Sequence, residues 1–562
     1  MIRATGTISE RGGSAVTVRR RIAVTFVVFT AVFTIIGGRL VDLAFTPTRT
    51  HISAVSTVAN HTQPRPDIVD RNGRLLATDI PVYAVVANPK RIDGSDETLE
   101  KLSTVLRGLN HKTLLRRLSD KDRAFVWVKR GLTPKQREDV EALGLPGIRF
   151  EAERRRYYPA GATAAHILGH VDIDNRGRAG IEHYIDSIAG VYFPKTLQES
   201  DRPAVQLSID LGVQHVLRNE LTKAISTYRA KAAAGVLLDV TSGEVIAMSS
   251  LPDFDPNHRE QVLAKSRFDR VTKGAFELGS VFKTVTAAMA LDLGTVTVDQ
   301  EYDVSQPIEI GGSTIGDKRD LGPRLSIAEI FVKSSNVGMA KIAEDVGIDR
   351  HRAFLSKVGL LDGIKTELGE ITAPRTPKLW KTVNSMTASY GHGIAVAPIQ
   401  FAAASAALVN GGYKISPTFL YQDRKLGLSR DKKVLKSETS AIVRDLLRRN
   451  VKEGTGKRSD VFGYRVGGKT GTAEKVVNGV YSKSLLRTSF LSVFPSDDPA
   501  YLLLVMLDEP KKAKDVEGEG TTAAVNAAPV TAAIISRIGT TLKIKPDIMR
   551  HAGIDDETPS AY

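Results

Sequence analysis

The sequence predicts an α+β protein in three parts: an N-terminal membrane helix, a mixed spacer domain, and a larger domain with one antiparallel sheet covered by helices. Three observations predict it. The run "IAVTFVVFTAVFTIIGG", Ile22 to Gly38, carries no charge and as a helix covers about 25 Å of bilayer. Strand patterns stand at both ends of the region after Pro203, in "AAGVLLDVTSGEVIAMSS", "TSFLSVFP" and "AYLLLVML". Between them, from about Phe276 to Leu447, lie alanine-rich helical segments, an arrangement that packs helices over a single sheet.

The length of 562 residues exceeds one ordinary domain, and a composition of 42% hydrophobic and 25% charged residues is that of a folded chain. There are no cysteines, which excludes disulfides, thiolate metal sites and a cysteine nucleophile. The 11 histidines form no H-E-x-x-H pattern, so no metal and no cofactor is expected. A formal net charge of +15 suits nucleic acid, an anionic membrane surface or an anionic cell-wall glycan. The clusters Arg19-Arg20-Arg21 and Arg154-Arg155-Arg156 sit in no nucleic-acid recognition motif, so no nucleic-acid partner is expected and the second cluster reads as a solvated face or a set of ion pairs.

Taken in order, the N-terminal tail 1–21 holds Arg3, Arg11, Arg19, Arg20 and Arg21 ahead of the apolar run, which places it in the cytoplasm. The membrane helix is expected over 22–44, with Arg39 snorkelling. A cleaved signal peptide is the alternative, disfavoured because small residues are poorly placed for cleavage after Asp42-Leu43-Ala44. Everything beyond is then exported, into the periplasm of a cell with an inner membrane.

Residues 45–202 read as a pedestal, with the strand "VYAVVANP" (Val82 to Pro89), the turn pair Asn72-Gly73 and a charged helical stretch from Leu99 to Leu118. The main domain, 203–545, opens with a helix capped by Asp210 and a hairpin around Thr241-Ser242-Gly243, and closes with a helix ending at Gly539. Residues 546–562 read as a loose tail.

The chemistry-bearing stretches fall inside this domain. In "GAFELGSVFKTVTAAMALDLG", Phe282, Val285, Met289 and Leu293 form the apolar stripe of a helix, and Ser280 and Lys283 stand three residues apart at its start. A serine hydroxyl becomes nucleophilic when a base takes its proton, and a lysine can be that base where burial keeps its amine neutral. The spacing alone is unspecific, since Ser429 and Lys432 repeat it in a hydrophilic turn. In "LSIAEIFVKSSNVGMAKIAEDVG" a capping box, Ser326 to Glu329, starts a short helix, and Ser334-Ser335-Asn336 separates it from a second. Alone, that triplet reads as an ordinary interhelical turn.

The stretch "VFGYRVGGKTGTAEKVVNGVY" has two readings. Gly463 to Thr470 satisfies the phosphate loop of nucleotide hydrolases, with "LLLVMLDE" as its metal-holding strand, whereas Lys469-Thr470-Gly471 suits a serine enzyme that recognises penicillin. A phosphate loop needs a helix after it. Here Asn478-Gly479 closes a hairpin, which favours the strand.

Ser280-x-x-Lys283, Ser334-x-Asn336 and Lys469-Thr470-Gly471, in that order, resemble the three signatures of penicillin-binding proteins and serine β-lactamases. "RPDIVDRNGRLLA", "RRYYPAG", "GRAGIE", "SGEVIAMSSLPDFDPN" and "GHGIAVAPIQ" extend the similarity over most of the exported chain and look like the single-pass class B penicillin-binding proteins, which are monofunctional peptidoglycan transpeptidases. Pro66, Leu278 and Ala397 depart from the family pattern, where glycine, proline and threonine are common.

The resemblance implies a β-lactamase-like sheet with helices on both faces and a D,D-transpeptidase that cross-links stem peptides through a serine ester, with β-lactams as covalent inhibitors. Ser280 would be the nucleophile, Lys283 its base and Ser334 the proton carrier. Asn336 would orient Lys283 and the substrate amide. Lys469, Thr470, Gly471 and Thr472 would bind substrate, and the N–H groups of Ser280 and Thr472 would form the oxyanion hole. Asn336 in the middle signature points to septal synthesis, with an elongation enzyme as the alternative. A membrane-embedded glycan polymerase and other division proteins would be the partners. A β-lactamase is disfavoured by the missing E-x-x-L-N pattern, and a noncatalytic scaffold is a further alternative.

Overall fold

The computed structural model describes residues 23–24, 26–38, 65–192, 203–369, 371–422, 432–513 and 521–547. The chain falls into two units, 1–60 and 61–562. In the first, residues 26–38 are helical and Phe26, Val27, Phe29, Phe33 and Ile35 are exposed. No helix among the described residues is long and apolar enough to cross a membrane. The expected tail 1–21, the ends of the expected span 22–44 and most of the tail 546–562 lie outside the described residues, as do Ser429 and its surroundings.

In the second unit the pedestal is built on strand β2 (Leu75–Ala87), which pairs antiparallel with β1 (Ile68–Val69), β3 (Val126–Leu132) and β4 (Ile148–Tyr157). The charged stretch expected as one helix is two, α1 (Ser95–Val105) and α2 (His111–Leu118). They break around Gly108, and Asn110 caps the second by accepting from the Thr113 N–H at 3.0 Å. Their buried leucines, Leu99, Leu102, Leu114 and Leu118, pack onto the sheet through Val85, Ala87 and Val126. Strand β5 (Val205–Gln206) adds to β1 in parallel, so the pedestal sheet extends past residue 202, where the main domain was expected to begin.

Three quoted family stretches meet at a buried ion cluster. Arg156, from β4, donates to Glu182 Oε1 at 2.6 Å, Asp79 Oδ1 at 3.2 Å and the Pro66 carbonyl at 2.9 Å. Glu182 lies on α3 (Gly180–Tyr192) and also accepts from Arg65 Nε at 2.9 Å. Burial alone would pull the Arg156 guanidinium down, but Glu182 and Asp79 outweigh it and hold the group above its ordinary value. The third arginine of the 154–156 triplet therefore belongs to an interior ion-pair set.

The main domain opens with α4 (Leu211–Tyr228), whose cap Asp210 accepts from the N–H groups of Gly212 at 2.8 Å and Val213 at 3.1 Å. Next come β6 (Ala232–Asp239) and β7 (Val245–Leu251), the expected hairpin. After the helical region follow β8 (Gly467–Val477), β9 (Val480–Phe494) and β10 (Tyr501–Asp508), and the sheet order is β8-β9-β10-β6-β7, antiparallel throughout.

The alternation of side chains along β6 and β10 gives each face its own core. Ala234, Val236, Leu238, Leu502, Leu504 and Met506 point into one apolar cluster, which holds α5 (Lys283–Asp292) and α6 (Pro398–Val409). Ala233, Leu237, Leu503, Val505 and Leu507 point into the other, with α4 and α7 (Ala527–Ile538). Helices thus cover both faces, as the resemblance implied. Because α5 lies inside the first core, Lys283, Thr284 and Thr286 are buried along with Val285 and Met289, so burial is not confined to the expected stripe, whose last member, Leu293, lies past the helix end and is exposed.

Candidate active site

Ser280 is not on the α-helix itself. It lies in a 3₁₀ turn, Gly279–Phe282, that feeds into α5 at Lys283. Gly279 has φ +64, and an added Cβ would come within 2.9 Å of the Thr472 carbonyl carbon. Only glycine lets the turn lie this close to β8, which places the backbones of Ser280 and Thr472 side by side. Ser489 Oγ fastens the turn from β9 by donating to the Leu278 carbonyl at 2.9 Å.

The middle signature occupies a sharp corner. Helix α8 (Ile327–Lys333) begins at the expected capping box and ends at Ser334, whose φ of 65 and ψ of 43 are left-handed, an uncommon and costly conformation for serine. Ser335 then caps α9 (Asn336–Val346), accepting from the Gly338 N–H at 2.9 Å. The bend turns Ser334 towards the cleft while Ser335 faces inward, fully buried.

Ser334 is the meeting point of two buried lysines. Lys283 Nζ donates to the Ser334 carbonyl at 2.5 Å and to its Oγ at 3.2 Å, and Lys469 Nζ donates to the same Oγ at 2.9 Å. Both lysines are 0% exposed. Burial brings Lys469 down to about 7. Burial, and then the positive charge of Lys469, pull Lys283 well below its ordinary value, with Asp317 opposing and Lys318 adding to the effect. An amine whose neutral form is favoured, beside a serine hydroxyl, can move protons at neutral pH.

Lys469 is carried on β8, an edge strand of the sheet whose outer side borders the cleft. The cleft has a volume of about 890 Å³ and is lined by Ser280, Ser334, Asn336, Thr470 and Thr472 among others. Thr472 Oγ1 accepts from the Ala523 N–H at 3.2 Å. Gly471 keeps the strand against the 3₁₀ turn, since an added Cβ would strike the Leu278 carbonyl and Ser489 Oγ. The strand continues to a two-residue turn at Asn478 and Gly479, with φ of 51 and 84. The phosphate-loop alternative fails here, because Lys469 and Thr470 lie inside an 11-residue strand, Gly467–Val477, and no helix follows them.

The expected contact between Asn336 and Lys283 is not formed. Asn336 Nδ2 donates instead to the Gly316 carbonyl at 3.2 Å, leaving the side chain on the cleft wall. Sequence reasoning also missed Asp317. Its carboxylate accepts from Ser335 Oγ at 2.6 Å and from the Asn336 backbone N–H, so it holds the start of α9 where the helix dipole favours a negative charge. In the string "GDKRD" it carries no signal that separates it from a surface turn. Thr455 and Asn450, which reach Thr470 and Gly468, were missed for the same reason.

Residues 233–535 match the penicillin binding protein transpeptidase domain, and residues 61–188 match the penicillin-binding protein dimerisation domain. The chain belongs to the penicillin-binding protein transpeptidase family. A probable peptidoglycan D,D-transpeptidase FtsI of Caulobacter vibrioides is 38% identical over 493 residues, covering 86% of this chain and 82% of that protein. Stage V sporulation protein D of Bacillus subtilis is 30% identical over 575 residues, covering 95% and 87%. The peptidoglycan D,D-transpeptidase FtsI of Escherichia coli is 29% identical over 512 residues, covering 86% and 84%. Penicillin binding protein 3 from Mycobacterium tuberculosis, solved in complex with aztreonam, shares the fold with a TM-score of 0.67 at 24% identity, over 86% of this chain and 98% of that one.

The three departures from the penicillin-binding pattern leave the described geometry intact. Pro66 offers its carbonyl to Arg156, Leu278 is buried with its carbonyl held by Ser489, and Ala397 precedes α6 without a side-chain cap.

Proposed function

We propose that this penicillin-binding protein is a peptidoglycan D,D-transpeptidase that cross-links stem peptides during septal wall synthesis and is blocked covalently by β-lactams. The observation that carries the reading is Ser334 Oγ, held between the two buried lysines in the cleft that also contains Ser280.

In the proposed cycle Ser280 Oγ attacks the carbonyl carbon of the penultimate D-alanine and gives its proton to neutral Lys283. The C–N bond to the terminal D-alanine breaks, and Ser334 passes a proton to the departing amine while taking one back from Lys283. An amine from a neighbouring stem then attacks the ester. A C–N bond forms, the C–O bond to Ser280 breaks, and a proton returns to Ser280 Oγ. The N–H groups of Ser280 and Thr472 hold the oxyanion, a role supported by the close approach of Gly279 to Thr472. Lys469, Thr470 and Thr472 hold the terminal carboxylate, Gly471 lets the strand lie close to the nucleophile's turn, and Asn336 orients the substrate amide from the cleft wall.

The septal assignment rests on Asn336 in the Ser-x-Asn signature. The uncharged run supports a membrane span over 22–44, with 1–21 in the cytoplasm and the pedestal (45–202), transpeptidase domain (203–545) and tail (546–562) in the periplasm. A membrane-embedded glycan polymerase and other division proteins are the proposed partners. Fluorescent penicillin should label the protein covalently, and Ser280→Ala should abolish the label. Undiminished labelling of that variant would refute the assignment.

A further inference from the structure

Hydrogen-bond polarity beneath the cleft singles out one more residue. Asn450, 0% exposed, donates from Nδ2 to the Gly468 carbonyl at 2.7 Å, and its Oδ1 accepts from the Thr455 N–H at 3.2 Å. These two contacts fix the amide, since the flipped form would set oxygen against oxygen and N–H against N–H. Oδ1 therefore faces Thr455, whose hydroxyl lies 3.2 Å from it and 2.6 Å from Thr470 Oγ1.

A threonine hydroxyl has one proton to donate. Before an anion binds, all three groups are satisfied when Thr470 donates to Thr455 and Thr455 donates to Asn450 Oδ1. With that polarity Thr470 has no proton left for an anion. A carboxylate arriving at Thr470 takes its proton, and Thr455, at 2.6 Å, can turn its own proton onto Thr470 Oγ1. Asn450 Oδ1 loses one donor but keeps the Thr455 N–H.

We propose that Thr455 is a positioning residue for carboxylate recognition, the middle member of a hydroxyl relay from Asn450 to Thr470 whose direction reverses when the substrate's terminal carboxylate binds. Thr455 lines the same cleft as Ser280 and Thr472 but contributes to the anion through Thr470. In Thr455→Val the relay has no donor for Thr470 in the bound state, so the cost falls on ligands that carry the carboxylate. This rests on the reading that Thr470 binds that carboxylate.

The test compares acylation by benzylpenicillin and by its methyl ester, which lacks the anion. Thr455→Val should lower the second-order rate constant for benzylpenicillin about tenfold, the size of one hydrogen bond to a charged group, and leave that for the ester within about twofold. Thr455→Ser should restore it. An equal loss for both ligands, or no loss for the acid, would overturn the relay. Failure of the underlying reading looks different: the wild type would not be acylated at all, or Thr470→Val would not discriminate between acid and ester. Thermal melting of each variant separates a folding defect from both outcomes.

Discussion

The pedestal and the cleft each bury charged side chains, and they do so in opposite ways. Around Arg156 two carboxylates and a carbonyl answer one guanidinium, with Arg65 as a second cation on Glu182. Around Ser334 two lysines share one hydroxyl, and no side-chain carboxylate pairs with either Nζ among the described residues. The difference appears in the proton affinities. Arg156 is held above its ordinary value and both lysines are pushed below theirs. Charges buried with partners fix structure, whereas cations buried without them become bases.

The comparison breaks most sharply at Lys283. Lys283→Met removes the proposed base and should slow penicillin acylation about a thousandfold. It also removes an unanswered buried amine, so the melting temperature should rise, by about 2 °C or more. A large fall in melting temperature would mean that the cleft lysines are structural after all. In the pedestal Glu182→Gln should do the reverse. It leaves two arginines short of a partner and should cost about 3 kcal/mol in denaturant unfolding, while acylation per folded molecule stays at the wild-type rate. A loss of rate in the folded fraction would erase the distinction between the two regions.

The smallest effect, taken per pH unit, is a slope in pH. Lys469 sits at about 7 when folded, against an ordinary lysine value of 10.5. Below about pH 7 both the folded and unfolded chains hold its proton, and the cost of burial is felt in full. Between about 7 and 10.5 the unfolded chain holds a proton that the folded chain lacks, so the unfolding free energy rises with pH. The rise is at most about 1.4 kcal/mol per pH unit for each such lysine. Denaturant titrations across this range should show a steeper rise in the wild type than in Lys469→Met. Parallel curves would show that Lys469 is not carrying an unanswered charge.

How far the sequence could be read follows from which interactions are local. The hairpin at Asn478-Gly479, the cap at Asp210 and the box at Ser326 to Glu329 are settled within a few residues, and all appear as expected. The split of the Leu99 to Leu118 stretch into two helices was missed because its charged periodicity runs on through Gly108. The burial of α5 beyond its apolar stripe depends on contacts made far along the chain, so a stripe was the natural expectation. In the site, the three signatures carried Ser280, Lys283, Ser334 and Lys469 into one cleft. The supporting groups Asp317, Asn450 and Thr455 are isolated polar residues in turns or on a helix, and only the assembled structure shows what they hold.

The sheet order has a consequence for how the enzyme comes into being. Strand β6 pairs along its whole length with β10, so Ala232 lies opposite Asp508, and the entire helical region is made between them. The serine's half of the centre is synthesised early, yet it meets the lysine of β8 only after nearly the last of the polypeptide has emerged. A molecule truncated or stalled before that closure holds the turn of Ser280 and the helix of Lys283 without the paired strand that carries Lys469, and is expected not to react with penicillin. With Ser280 as the proposed site, penicillin labelling in a cell is expected to mark finished chains alone and so to follow maturation.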